Sequence, residues 1–246
     1  MAVVEKTVDI IGDERFTAML LAKDIPDDCP VDLYDEIVKQ VRNYAMYKMG
    51  KLQSFVFPNV TIVGNYAFYE CTTLKHVEMP LCTSLGERVF QGCTQLEEIE
   101  MPLVTYLNSC SFQGCSALTR AIFSGATIMY GSGFLSGCPN LETVNFQKLT
   151  NMGDGCFSQD TALQQIDLPS IKVIGSSAFN GCSGLRVVNI GPSITSIPTN
   201  AFSGTSSDLV INLAVAEGAI SGAPWGNADA TINYDTPYAG DIPMPT

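Results

Sequence analysis

The side chains able to do chemistry in this chain are few. His76 is the only imidazole among 246 residues, so any serine or cysteine hydrolase would have to recruit it. No Gly-x-Ser-x-Gly elbow and no His-Glu-x-x-His helix accompanies it. Glu78, Glu97, Glu98 and Glu100 invite two readings, a glycosidase pair or a cation cluster. Glycoside hydrolysis needs carboxyls facing each other across a cleft, and crowded carboxylates on adjacent strands repel unless a cation bridges them. A solvated acidic surface is the simpler account, with a weak cation site as the sharper alternative. Gly131-Ser132-Gly133 and Gly153-Asp154-Gly155 lack the strand-to-helix context of a phosphate loop and read as corner glycines. There are nine cysteines but no Cys-x-x-Cys pair, and with one histidine a zinc site is not expected. Neither catalysis, nor a metal, nor a cofactor is expected.

What positions these residues is a repeat. Leu-x-x-[apolar]-x-[apolar] recurs at Leu52, Leu74, Leu96, Leu118, Leu141, Leu163 and Leu185, in steps of 22, 22, 22, 23, 22 and 22. A fixed period of this length means one unit stacked on copies of itself, a solenoid. In Val77-Glu78-Met79 the apolar–polar–apolar alternation has the period of a half-buried strand. Pro80 then ends it, because proline brings no N–H to the ladder. A second apolar segment precedes each phenylalanine, as in Val63-Gly64 before Ala67-Phe68 and Ile174-Gly175 before Ala178-Phe179. No single coil can bury its own leucine, isoleucine and phenylalanine, whereas stacked coils share one layered core.

Phe90-Gln91-Gly92-Cys93-Thr94-Gln95-Leu96-Glu97-Glu98-Ile99-Glu100-Met101-Pro102, with half-turns such as Leu85-Gly86…Val89-Phe90, resembles the BspA-like leucine-rich repeat family. The resemblance spans about residues 40 to 213. It implies a leucine-rich-repeat solenoid, α/β to mostly β, in a right-handed curved array of about 7–8 coils. The Leu-x-x-Ile strands would form a concave parallel sheet. It also implies a bacterial surface or secreted protein, often an adhesin or partner-binding module, with related arrays in phage-associated proteins. A protein or cell-surface molecule is the expected partner.

The repeat sorts the remaining residues. Cys71, Cys93, Cys115, Cys138 and Cys182 share one position, also held by Asp160, Thr205 and Met49; Cys29, Cys82, Cys110 and Cys156 lie elsewhere. Coils stack at roughly 4.8 Å, and parallel Cβ vectors in one column are poor disulfide geometry. Buried free thiols bonding weakly to the turn are expected. Outward positions of the Leu-x-x-Ile strands vary, while the inward ones are monotonous. One outward column runs His76, Glu98, Arg120, Thr143, Gln165, Val187; its neighbour runs Glu78, Glu100, Ile122, Asn145, Asp167, Asn189. Packing fixes the inside and leaves these twelve free, so they are the candidate partner-binding residues. A passive spacer or virion component that binds nothing on this face is the alternative reading.

Residues 1–39 carry no repeat. The stripe Phe16, Met19, Leu20 and the spacing Leu33, Ile37, Val38, Val41 behind Pro30 predict a short helical cap over the open end of the core. At the other end, residues 214–234 read as a second cap, with Asn227–Tyr234 as a last strand and the only tryptophan, Trp225, packed on the final layer; a tryptophan ligand platform is the sharper alternative. Residues 235–246, with Pro237, Pro243 and Pro245, read as a flexible tail. Met1–Thr7 has neither a basic start nor a long apolar stretch and does not read as a secretory signal. No apolar run is long enough to span a membrane. Thirteen basic against 25 acidic residues, a net charge of −12, oppose nucleic-acid or anionic-lipid binding.

Overall fold

The computed structural model describes residues 10–11, 31–34 and 38–238. Over these the chain climbs a parallel-strand β-solenoid of about nine turns with the leucine-rich-repeat fold. Each turn has three sides. The first carries the strands Val31–Tyr34, Leu52–Val56, His76–Glu78, Glu98–Glu100, Arg120–Ile122, Thr143–Asn145, Gln165–Leu168, Val187–Ile190, Val210–Leu213 and Thr231–Asn233. The second carries two-residue strands: Ile10–Ile11, Gln40–Val41, Ile62–Val63, Ser84–Leu85, Tyr106–Leu107 and Ile128–Met129. Beyond these the second side continues as single bridges through Asn151, Val173 and Ser196. The third side is turns whose alternate N–H groups donate to the next coil, as Tyr44, Met46 and Lys48 do to the carbonyls of Asn65, Ala67 and Tyr69.

Register is set by burial. Leu74, Val77 and Met79 point inward while His76 and Glu78 are exposed, so a one-residue slip would invert the strand. Arg120 therefore pairs with Glu98 below and Thr143 above. Phe68, Phe90 and Phe112 stack at 5.0 and 5.1 Å, and Phe157, Phe179 and Phe202 at 5.4 and 5.3 Å. Each fully buried ring contributes on the order of 2–3 kcal/mol. Leu135 takes the phenylalanine position in one turn, and Phe134 fills in edge-on, 5.3 Å from both Phe112 and Phe123.

The thiol ladder is present. The Sγ atoms of Cys71, Cys93, Cys115, Cys138 and Cys182 donate to the carbonyls of Met46, Phe68, Phe90, Phe112 and Phe157 at 2.9, 3.1, 3.1, 3.3 and 2.8 Å. All eight cysteines among the described residues are free and buried; Cys29 lies outside them. Asp160 holds one rung of this ladder and is fully buried. Its Oδ1 accepts the Cys138 N–H at 2.7 Å, while its Oδ2 has no partner. Burial pushes its carboxyl well above the usual range, against the pull of the Cys138 and Gly137 N–H groups.

The ends depart from expectation. In place of the helix expected from Leu33, Ile37, Val38 and Val41, Val31–Tyr34 and Gln40–Val41 are strands that continue the two ladders of the array upstream; Ile37 lies outside the described residues. The backbone is better satisfied by extending an existing parallel edge than by a short separate helix. Phe16, Met19 and Leu20 lie outside the described residues. The leucine count of seven or eight coils also falls short, because the first and last turns carry no Leu-x-x-Ile phrase. Trp225 is fully buried on the last layer, its Nε1 donating to the Ser221 carbonyl at 2.9 Å and its carbonyl accepting from the Phe202 N–H. The final strand is shorter than Asn227–Tyr234, covering only Thr231–Asn233. The described part of the tail is tied down: Asp235 and Thr236 donate to the Val215 and Leu213 carbonyls.

The first-side ladder is broken twice. It forms blocks of three, three and four strands, with no pairing between His76–Glu78 and Glu98–Glu100 or between Thr143–Asn145 and Gln165–Leu168. At the first seam Glu78 and Glu100 would face each other directly, an arrangement that like charge disfavours. The second-side ladder lapses at the same turn, between Ser84–Leu85 and Tyr106–Leu107.

Candidate partner-binding face

The first side presents the outward columns as the alternation requires. His76, Glu78, Glu98, Glu100, Gln165 and Asp167 are exposed, and Arg120, Thr143, Asn145, Val187 and Asn189 are half-buried. Ile122 is the exception at 6 % exposure. Flanked in register by Glu100 and Asn145, it has no polar atom to draw it toward water, so it joins the packed surface instead of offering a free contact.

The face divides electrically. Around the first seam Arg120 reaches back to Glu100 at 3.2 Å and Glu98 at 3.9 Å, and His76 Nε2 lies 3.9 Å from Glu78. These pairs are solvent-exposed and each contributes less than about 1 kcal/mol. One arginine shared by two glutamates, with Glu78 and Glu97 nearby in sequence, leaves this half acidic. Among the described residues no group of three or more His, Cys, Asp or Glu is placed to hold a metal ion.

The other half is internally bonded. Asn233 Nδ2 donates to Asn212, Asn212 to Asn189 and Asn189 to Asp167, at 2.8, 2.8 and 2.6 Å. Gln165 donates to the same Asp167 carboxylate at 3.3 Å. Tyr238 is half-buried, its phenol pushed up to about 12 by burial and by the Asp167 carboxylate. Asp167 and Asn189, singled out as free contacts, are thus committed to a structural ladder. Asn145, next in the column, lies across the second seam and keeps a buried Oδ1 without a partner. The spacing of the four ladder residues was available in the sequence and is the signal that could have found them.

Two aromatic features escaped sequence reasoning. Tyr44 stacks on Tyr66 at 5.0 Å and Tyr47 on Tyr69 at 5.2 Å on the third side. Lys48 lies over the second pair and bonds Glu70 at 3.1 Å; that contact raises the lysine's pKa and lowers the glutamate's. On the second side, Tyr106 and Tyr130 stand 5.7 Å apart, each more than half exposed.

The family model of the BspA type leucine rich repeat region matches six copies, over residues 39–161 and 83–210. The chain belongs to this family. Its repeat fold suggests a protein-interaction or surface module. Among solved structures it is similar to a leucine-rich repeat protein from Bacteroides ovatus, at 18 % identity and a TM-score of 0.40, covering 94 % of this chain and 76 % of the other. It is also similar to a leucine rich cell surface protein from Faecalibacterium prausnitzii, at 17 % identity and a TM-score of 0.32, covering 88 % of each. A third is the T. pallidum leucine rich repeat protein, at 20 % identity and a TM-score of 0.36, covering 85 % and 75 %. No curated protein matches the chain. Among the described residues no helix is long and apolar enough to cross a membrane.

Proposed function

We propose that this BspA-type array is a non-catalytic protein-interaction module of a bacterial surface or secreted protein, using the acidic half of its first side. The contact centres on His76, Glu78, Glu98, Glu100 and Arg120, with Thr143 at its margin. The observation that carries the reading is the contrast along one sheet. Past the second seam the outward side chains bond to one another, whereas before it exposed carboxylates outnumber the one arginine that answers them. A rigid acidic strip of this kind fits a partner presenting lysine and arginine, which charge complementarity would steer and orient.

The test compares the wild-type chain with a Glu78→Lys, Glu98→Lys, Glu100→Lys variant as bait, each binding protein being identified by cross-linking mass spectrometry. A basic protein held by the wild type should be lost from the variant by at least tenfold, and more readily released by salt. Equal retention by both forms would move the contact off this face and favour the spacer reading, in which the ends alone are engaged.

A further inference from the structure

The second side has one irregular stretch, and it coincides with the turn where both ladders lapse. Just past the second-side segment four inner turns place a glycine, at Gly64, Gly86, Gly153 and Gly175, whereas Arg42 and Pro198 hold the position toward the two ends. The reason is close approach: a Cβ on Gly86 would lie 2.6 Å from the Asn65 nitrogen and 2.7 Å from the Gly64 carbonyl carbon. In the two intervening turns the position is held by Asn108 and Tyr130. Packing does not ask for this change; the neighbouring turns show what packing prefers.

Two further departures cluster there. The Arg88 N–H meets the Ser109 carbonyl 21 residues on, but that of Cys110 meets Ser132, 22 residues on. The extra residue of the 23-residue step from Leu118 to Leu141 therefore lies at the corner beyond Tyr130. The Leu85 carbonyl accepts Asn108 Nδ2 at 2.6 Å, where the Val63 carbonyl in the turn before takes the Gly86 backbone N–H. Asn108 Oδ1 is left without a donor. The result is an open cleft of about 300 Å³ lined by Thr83, Ser84, Leu85, Tyr106, Asn108 and Tyr130.

The lining has a definite chemistry. Tyr106 and Tyr130 are 52 % and 53 % exposed. The remaining polar groups are hydroxyls and an amide, and no lining residue is charged although the chain carries −12. An ionic ligand would find no counter-charge here. Ser84 shares its outward column with Ile62 on one side and Tyr106 on the other. A small residue at Ser84, beside the large Tyr106, leaves the tyrosine face open to a flat ring in contact at about 3.5–4 Å. Aromatic faces meet C–H groups, and hydroxyl and amide groups meet O–H groups.

We infer that this cleft binds a neutral sugar residue of a glycan, its ring laid against Tyr106 and its hydroxyls bonded to Asn108 and Ser84. The site is on a different side of the solenoid from the acidic strip and does not depend on it.

Saturation-transfer NMR and calorimetry with cellohexaose, maltohexaose and chitohexaose, beside an anionic heparin hexasaccharide, test the assignment. At least one neutral probe should bind, and Tyr106→Ala should weaken it tenfold or more. Ser84→Tyr, which covers that face while keeping both tyrosines, should do the same. Tyr44→Ala, on the third side, should leave binding unchanged, and thermal melts verify that each variant is folded. Absence of binding by all three neutral probes, preference for the heparin fragment, or undiminished affinity in both cleft variants would each overturn the proposal. So would a protein ligand lost from the Tyr106→Ala form while no neutral sugar binds, since the cleft would then be a peptide contact.

Discussion

Replacing Asp160 with asparagine should stabilise this protein at neutral pH, and the gain should grow with pH. The carboxyl sits fully buried in a column of thiols, one oxygen unpartnered. The titratable groups that bear on it are Cys138, Cys156 and Cys182, all themselves held neutral by burial. The rungs donate to a carbonyl 25 residues back, as Cys93 does to Phe68 and Cys182 to Phe157. For Asp160 that register points to Leu135, and a protonated Oδ2 supplies the missing proton. The folded-state pKa is raised, so stability is complete below the unfolded value of about 4 and falls as pH climbs toward the folded value. One proton sets the slope at up to about 1.4 kcal/mol per pH unit, or roughly 3–6 °C of melting temperature for a chain of this size. Asparagine keeps the bond from the Cys138 N–H, brings an N–H to the unpartnered Oδ2 position and cannot ionise; Asp160→Cys restores the thiol rung. Melting curves of wild type and both variants from pH 4 to 8 isolate the effect, because the three forms differ only in the group at position 160. A wild-type minus variant difference that stays flat with pH, or variants less stable than wild type at pH 7, would refute the protonated-rung argument.

Two further outcomes follow from the packing. Gly86→Ala should destabilise by more than the roughly 1 kcal/mol of an ordinary glycine effect, since its Cβ would meet the coil below; Asn108→Gly, at the equivalent place, should cost less than Gly86→Ala in the same denaturant titration. In a Cys29→Ser background the remaining thiols should react with a disulfide reagent only at the unfolding rate, because burial holds Cys71 near a pKa of about 12 and Cys82 near about 11. A burst of reaction in the native protein would contradict the ladder.

The period was legible because layers repeat their inward residues: Leu74, Leu96 and Leu118 are all fully buried. The thiol column was legible for the same reason. What escaped was whatever breaks the repeat or spans it. Ile122 looked like an outward residue by count, yet its apolar side chain packs down between neighbours. Leu33 and Val41 have helical spacing, but a waiting strand edge outweighed that local preference. The tyrosines of the cleft lie on a side whose outward positions carry no alternation long enough to read, and the amide ladder runs on from Asp167 and Asn189 into Asn212 and Asn233, beyond the turns that the leucine phrase counts.

The two seams bear on how the whole molecule moves. Within each block of strands, backbone hydrogen bonds resist any change in coil spacing. At the turn between Glu78 and Glu98 neither strand side is laddered: the first side keeps one backbone bond, from the Glu97 N–H to the Lys75 carbonyl at 3.4 Å, and the second is bridged by the Asn108 side chain on the Leu85 carbonyl, while third-side bonds such as Phe90 to Ser111 and Gly92 to Gln113 continue. The two strand sides are thereby tied more loosely at this turn than the third side is. The cleft beside Tyr106 opens on one of these loosely tied sides, so any change of coil spacing there would change the width of the cleft.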